Sequence, residues 1–209
     1  MKKFATLLCC IVLPVLCSSC QEKPVAEDTS SSPVEPEDAD AVDQAELLAR
    51  GNEISNKLMQ SLGSKLKAAL QAGGPEHALM VCQQLAQPST VAVSSEFEGA
   101  DIRRVSLKPR NPFNAPDEFD KQVLAAWEAQ LGSGSATPES VVHGRDDGRV
   151  IYYRPIITQQ VCMNCHGDRA AFPAELTKRL AELYPADKAT GYGIGQLRGA
   201  FRVEFLQGQ

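Results

Sequence analysis

The most specific chemical pattern in this 209-residue chain is the run Cys-Met-Asn-Cys-His at positions 162–166. Two thiols at this spacing can each add to a vinyl group along one edge of a porphyrin, and the imidazole that follows them can ligate the iron. Both covalent bonds and one axial bond then come from a single short segment. We therefore predict one covalently bound haem c, attached through Cys162 and Cys165 and ligated by His166.

Three other interpretations of this run have weaker support. Structural zinc requires four ligands, and the chain has no second Cys-x-x-Cys pair, so Cys82 and His143 would have to be recruited singly. A thioredoxin-like dithiol would follow a strand of a parallel sheet, and the residues before position 162 show no such pattern. A chance occurrence is the third interpretation. Haem attachment is favoured over each of them.

The second axial position of the iron has four candidates in the sequence: Met80, Cys82, His77 and His143. Methionine predicts a raised reduction potential, a thiolate a lowered one and histidine an intermediate one, whereas an empty position predicts small-molecule binding. Spacing alone does not decide among them. A haem enzyme would need an open position beside an acid-base group, for which His143 is the candidate. We expect no enzymatic activity.

The N-terminus has the pattern of an export signal. Two lysines precede an apolar stretch, 4–16, that is too short to span a bilayer as a helix. Residues 16–20 resemble a bacterial lipobox, which predicts a signal peptide over 1–19 and a lipid on Cys20. The expected location is therefore the periplasmic side, with the lipid holding the protein to a membrane, and the outer membrane is favoured over the inner.

The composition divides the rest of the chain into a tether and one domain. Residues 20–42 are acidic, rich in proline and serine and poor in large apolar residues, which predicts a disordered tether. Residues 43–209 have a typical single-domain size. Three cysteines remain there, Cys82, Cys162 and Cys165, and this odd number does not suit a disulfide framework. The net charge of −5 predicts no nucleic-acid partner.

The spacing of apolar residues predicts a mixed set of helices and strands. A long amphipathic helix begins at Asp43 and ends at Gly73 and Gly74, and a second helix covers 76–86, before Pro88. The remaining predicted elements are strands at 102–107, 149–157 and 199–206, a proline-rich loop at 108–116, and helices at 117–131 and 173–183. This order predicts an α+β domain with an antiparallel sheet and helices packed on one side.

Five segments in order resemble a known family, the Tll0287-like c-type haem domains, formerly a domain of unknown function. The segments are 78–82, 104–116, 153–156, 162–167, and 184–191 leading to 195–199. The resemblance implies a PAS-like fold with a long N-terminal helix and a c-type haem with histidine and cysteine as axial ligands. It places the cysteine ligand at Cys82, which accounts for the odd cysteine of the domain.

The basic segment around Lys108 and Arg110 suits the propionates of a haem, because lysine and arginine neutralise and hydrogen-bond carboxylates. Tyr153 and Arg198 are further candidates for the same role. The glycines at 191, 193 and 195 are interpreted as turn residues, because no helix follows them to form a phosphate site.

The expected function is that of an exported monohaem c-type cytochrome in electron transfer or redox sensing, with a redox partner protein that the sequence does not identify. The alternative is a haem-based gas sensor or signalling module that acts through a separate partner. An electron carrier would expose a haem edge, whereas a sensor would break its Cys82 bond on reduction or on binding a gas.

Overall fold

The computed structural model describes the backbone of residues 39–206 and the side chains of residues 43–206. The predicted signal peptide, the lipid site at Cys20 and most of the predicted tether lie outside these residues. Within the described part, no helix combines the length and the apolar character needed to cross a membrane.

A long helix, α1, spans Ala39–Ser95 and is broken at one point. The break lies at Gly73 and Gly74, and Gly74 has a φ of 69°, in the left-handed region that favours glycine. We refer to the parts before and after the break as the first and second arms of α1. The predicted end of the first helix at these glycines therefore coincides with a change of direction.

The second arm continues past Pro88 to Ser95, nine residues beyond its predicted end at residue 86. Proline removes a backbone donor and disfavours a helix interior. Tertiary packing offsets this cost, because Ser89 and Thr90 are buried and Val93 belongs to the core. The Thr90 hydroxyl also donates to the Ala86 carbonyl at 2.8 Å, which supplies a hydrogen bond at the interrupted turn.

Four antiparallel strands form one sheet in the order β1-β4-β3-β2. They are β1 (Ala100–Val105), β2 (Val141–Gly144), β3 (Val150–Ile157) and β4 (Leu197–Phe205). β1, β3 and β4 match the predicted strands within two residues at each end. β2 was not predicted, because four residues are too few for an alternation to be recognised.

Three further helices complete the described domain: α2 (Glu118–Gly132), α3 (Met163–His166) and α4 (Ala174–Leu183). α2 begins with a capping box. The Asp120 amide donates to the Asp117 carboxylate at 2.7 Å, and the Asp117 amide donates to the Asp120 carboxylate at 3.0 Å. The predicted α+β class, with an antiparallel sheet and a long N-terminal helix, is confirmed.

Helices cover both faces of the sheet, so the prediction of helices on one side is wrong. The α1 face carries a core that includes Ile54, Tyr152 and Val203, and the α2 face carries one that includes Leu124 and Tyr153. The error has a physical reason. Apolar spacing within an element does not show which face of the sheet each helix covers, and α2 packs on the face opposite α1, where it supplies a charged partner to Arg202 of β4.

That partner is Asp120, a fully buried carboxylate at the start of α2. It accepts from the Tyr153 hydroxyl at 2.6 Å, from Arg202 Nε at 3.0 Å and from Arg103 Nη2 at 2.7 Å. A buried charge is tolerated when it is paired and hydrogen-bonded in this way. The cluster fixes α2 to the sheet on the side opposite α1.

Candidate cofactor site

The Cys-Met-Asn-Cys-His run forms one tight helical turn after β3. A 3-10 turn, Gln160–Cys162, leads directly into α3, and the Gly167 amide closes α3 on the Met163 carbonyl at 3.2 Å. Residues three and four positions apart share one side of a helix. The thiols of Cys162 and Cys165 and the imidazole of His166 therefore lie along one surface of this turn, and all three are partly buried.

The His166 ring is held by the loop that precedes β4. Its Nδ1 donates to the Ala189 carbonyl at 2.7 Å, because a carbonyl can only accept, and this bond leaves Nε2 with a free lone pair. The Tyr192 amide donates to the His166 carbonyl at 2.9 Å. Burial lowers the pKa of His166 well below its usual range, and the positive charges of Arg198 and Arg110 act in the same direction. The imidazole is therefore neutral and able to ligate a metal.

The Arg110 side chain bridges α3 and the same loop. Its Nη2 donates to the Cys165 carbonyl at 2.5 Å and to the Ala189 carbonyl at 3.3 Å, and its Nε donates to Asp187 at 3.2 Å. Arg110 thus lies at the site, as predicted, but its donors bond the protein itself. It fixes the carbonyl that orients His166.

Lys108 is likewise at the site and likewise engaged. Its Nζ donates to the Thr190 carbonyl at 2.7 Å and lies 4.4 Å from the centre of the Tyr192 ring, which is cation–π distance. The two basic residues that the sequence assigned to haem propionates therefore support the loop around His166 in this structure.

Cys82 reaches the site from the second arm of α1. This arm packs on α4 through Leu79, which joins Leu176 and Leu180 in a small core, and it also contacts α3. Cys82 is close enough to Cys165 for a charge on Cys82 to raise the pKa of Cys165. The packing of the arm therefore brings the cysteine chosen from the family resemblance to the same region as the motif.

Burial favours the protonated form of two thiols in this region, those of Cys82 and Cys165. Burial raises the pKa of Cys82, and the positive charges of Arg104 and Arg110 oppose that effect. Burial also raises the pKa of Cys165 to about 11. A dithiol oxidoreductase needs an attacking cysteine with a lowered pKa, and neither Cys82 nor Cys165 has one.

The other candidates for the second axial position lie elsewhere. Met80 and His77 are exposed on the second arm, and Met80 points about 200° away from Cys82 around the helix. His143 lies on β2, on the α2 face, with its ring 5.6 Å from that of Phe119 and 6.2 Å from that of Tyr153. Of the four candidates, Cys82 is the one whose charge raises the pKa of Cys165.

Sequence reasoning missed Arg104, a strand residue that faces the site from β1. Its Nε is buried and has no hydrogen-bond partner, and the same holds for Arg198 Nε and for Asp187 Oδ2. These are the three buried side-chain nitrogen or oxygen atoms without a partner among the described residues. The one available signal was the pair Arg103-Arg104 in a strand, where alternation forces one of the two toward each face.

The described residues form no metal-binding site from their own side chains alone. Between positions 43 and 206, no group of three or more His, Cys, Asp or Glu side chains is arranged to bind a metal ion. The structural-zinc interpretation therefore finds no four-ligand set in this part of the chain.

Comparisons with known proteins agree with this geometry. The family model described as Tll0287-like matches residues 34–205. The crystal structure of the cyanobacterial haem-protein Tll0287 superposes with a TM-score of 0.61 at 27% sequence identity, covering 78% of this chain and 97% of that one. No curated protein matches the chain. The match of the family model over most of the chain confirms the resemblance deduced from the sequence, and the chain belongs to the Tll0287-like family.

Proposed function

We propose that this chain is an exported monohaem c-type cytochrome that transfers electrons or senses redox state, with haem attached at Cys162 and Cys165 and ligated by His166 and Cys82. The residues present fit such a group. Two thiols and an imidazole share one turn, a third thiol lies in the same region, and two buried guanidinium nitrogens are without partners. The relative Tll0287, described as a haem-protein, supports the same assignment.

The orientation of His166 is the observation that carries the proposal. Its Nδ1 is committed to the Ala189 carbonyl at 2.7 Å, so the ring is fixed with Nε2 available, and the carbonyl is itself fixed by Arg110. An outer hydrogen bond of this kind sets the tautomer and raises the basicity of a metal-ligating histidine.

Each residue then has a distinct task. The bound haem supplies one-electron redox chemistry at its iron. Cys162 and Cys165 would hold the haem through thioether bonds, and His166 and Cys82 would ligate its iron. Burial raises the pKa of Cys82, so its thiol would hold a proton in the haem-free chain and release it on ligating the iron.

Export and anchoring complete the proposal. The N-terminal pattern supports a signal peptide over 1–19 and a lipid on Cys20, which would place the domain on the periplasmic side, preferably at the outer membrane. Attachment of haem c takes place outside the cytoplasm, so export and attachment support each other. The redox partner is a separate protein. We propose no catalytic activity, because His143, the candidate acid-base group, lies on the α2 face of the sheet.

The test is the mass of the protein exported together with a haem-attachment system. The proposal expects one haem per chain that survives denaturation, and loss of it in Cys162→Ala with Cys165→Ala. Cys82→Ala is the matched control, since it removes a cysteine of the same domain that forms no thioether bond, and covalent haem should remain. A chain without covalent haem, despite correct export and folding, would disprove the proposal.

A further inference from the structure

The two buried arginines at the site, Arg104 and Arg198, differ from the other arginines around them. The Arg104 guanidinium donates no hydrogen bond to any of the described side chains or carbonyls, and its Nε is buried. Arg198 uses Nη1 on the Ser106 hydroxyl at 2.8 Å and on the Lys108 carbonyl at 3.3 Å, but its buried Nε is unpartnered. Arginine donors taken out of water normally find acceptors, because leaving a buried donor without a hydrogen bond is destabilising.

The neighbouring arginine on β1 provides the contrast. Arg103 points to the opposite face of the sheet, where its Nη2 donates to Asp120 at 2.7 Å. Arg110, on the site side, is paired with Asp187. The described part of the chain therefore supplies carboxylates to Arg103 and Arg110 but none to Arg104 or Arg198.

Charge in the site is also out of balance. Arg104, Arg110 and Arg198 all act on His166, and Arg104 and Arg110 each oppose the charge on Arg198. One carboxylate is hydrogen-bonded to these three arginines, that of Asp187, whose Oδ1 accepts from Arg110 Nε and whose buried Oδ2 has no partner among the described residues. Like charges held together away from water need an anionic partner, since an uncompensated buried charge is strongly destabilising. Two guanidiniums remain to be matched.

From this imbalance we infer that Arg104 and Arg198, rather than Lys108 and Arg110, bind the two propionate carboxylates of the haem. Arg198 was already a candidate from the sequence, and Arg104 was not. The inference rests on the proposed function. Lys108 Nζ already donates to the Thr190 carbonyl, and Arg110 Nη2 to the carbonyls of Cys165 and Ala189, so these two residues position the loop around His166. Arginine suits the carboxylate role because its fork of donors can hold a carboxylate at two points.

The experiment compares purified wild-type holoprotein with Arg104→Gln and Arg198→Gln by resonance Raman spectroscopy and by redox titration. Each substitution should shift the propionate bending bands. It should also lower the midpoint potential, because removing a positive charge beside the haem disfavours electron uptake. Arg103→Gln is the matched control, being the adjacent arginine on the opposite face of β1, and should change neither readout. If Arg104→Gln does not accumulate, Arg104→Lys retains the charge without Nε and should still shift the bands.

Two outcomes separate the possible errors. If the wild-type protein carries no covalent haem, the proposed function itself is disproved. Holoprotein whose propionate bands respond to Lys108→Gln, and to neither Arg104→Gln nor Arg198→Gln, would leave the function intact and overturn this inference.

Discussion

Removal of the Arg110 guanidinium is the perturbation whose effect the structure allows us to work out most fully. In Arg110→Gln, the Asp187 carboxylate loses its ion pair while its side chain is only 2% exposed, and the Arg110 side chain itself is 11% exposed. The substitution also removes the donors to the Cys165 and Ala189 carbonyls. These contacts join segments that lie 55 to 79 residues apart in the sequence.

The magnitude follows from the burial of the pair. Removing one partner of a buried ion pair costs about 3–5 kcal/mol, because the remaining charge is left in a poorly solvated place. A domain of this size has a total stability of about 5–15 kcal/mol. The substitution should therefore remove a large fraction of the free energy of unfolding. An exposed pair gives a reference, since Lys121 and Glu118 are joined at 2.9 Å on the surface of α2 and should contribute less than about 1 kcal/mol.

Urea denaturation followed by circular dichroism measures the effect on wild type, Arg110→Gln, Asp187→Asn and the double variant. Asp187→Asn removes the unpaired charge, so the double variant should be more stable than the sum of the two single losses indicates. Lys121→Gln is the surface control. A loss below about 1 kcal/mol for Arg110→Gln, equal to that of the control, would refute the reasoning that Asp187 and Arg110 form a buried pair.

Three further predictions concern the packing and the pH response. Gly51→Ala should destabilise the domain by about 1–3 kcal/mol in urea unfolding, because its new Cβ would lie 2.3 Å from the buried Tyr152 ring. Gly63→Ala, which meets no atom within 4 Å, should be neutral or stabilising, and equal effects at the two glycines would contradict the packing described for α1. Asp120→Asn should cost about 3–5 kcal/mol by the same assay, because Arg103 and Arg202 lose their buried partner, and a loss below about 1 kcal/mol would contradict it. Burial lowers the pKa of His166, so the unfolded chain takes up a proton that the fold excludes. In chains without haem, stability should therefore fall by up to about 1.4 kcal/mol per pH unit as the pH drops below about 6.5, and His166→Gln should abolish this dependence. An unchanged slope in that variant would contradict the assignment.

Local patterns were enough to predict much of the architecture. The amphipathic spacing predicted α2, α4 and the three longer strands within two residues, and Gly73 and Gly74 predicted the break in α1. The continuation past Pro88 could not be predicted, because it depends on the burial of Ser89, Thr90 and Val93 against distant parts of the chain. Propensity is a weak guide where tertiary packing compensates for it.

The residues of the candidate site also fall into those that a local pattern predicts and those that depend on distant contacts. The proposed attachment motif and its histidine are contiguous, so spacing alone was enough to predict them. Cys82 came from the family resemblance, and its approach to Cys165 depends on how the second arm packs on α4. The partners of Lys108 and Arg110 are carbonyls 55 to 82 residues away, which no local pattern reveals. For the same reason, charge alone could not distinguish Arg104, with its unpartnered Nε, from Arg103 beside it.

Ligation of a covalently held haem by His166 and Cys82 is the central claim, and a redox titration followed optically tests it most directly. Thiolate ligation predicts a low midpoint potential in the wild-type holoprotein and a clear rise in Cys82→Met, because methionine ligation raises the potential. A high midpoint potential in the wild type that Cys82→Met leaves unchanged would show that Cys82 is not a ligand and would contradict the account.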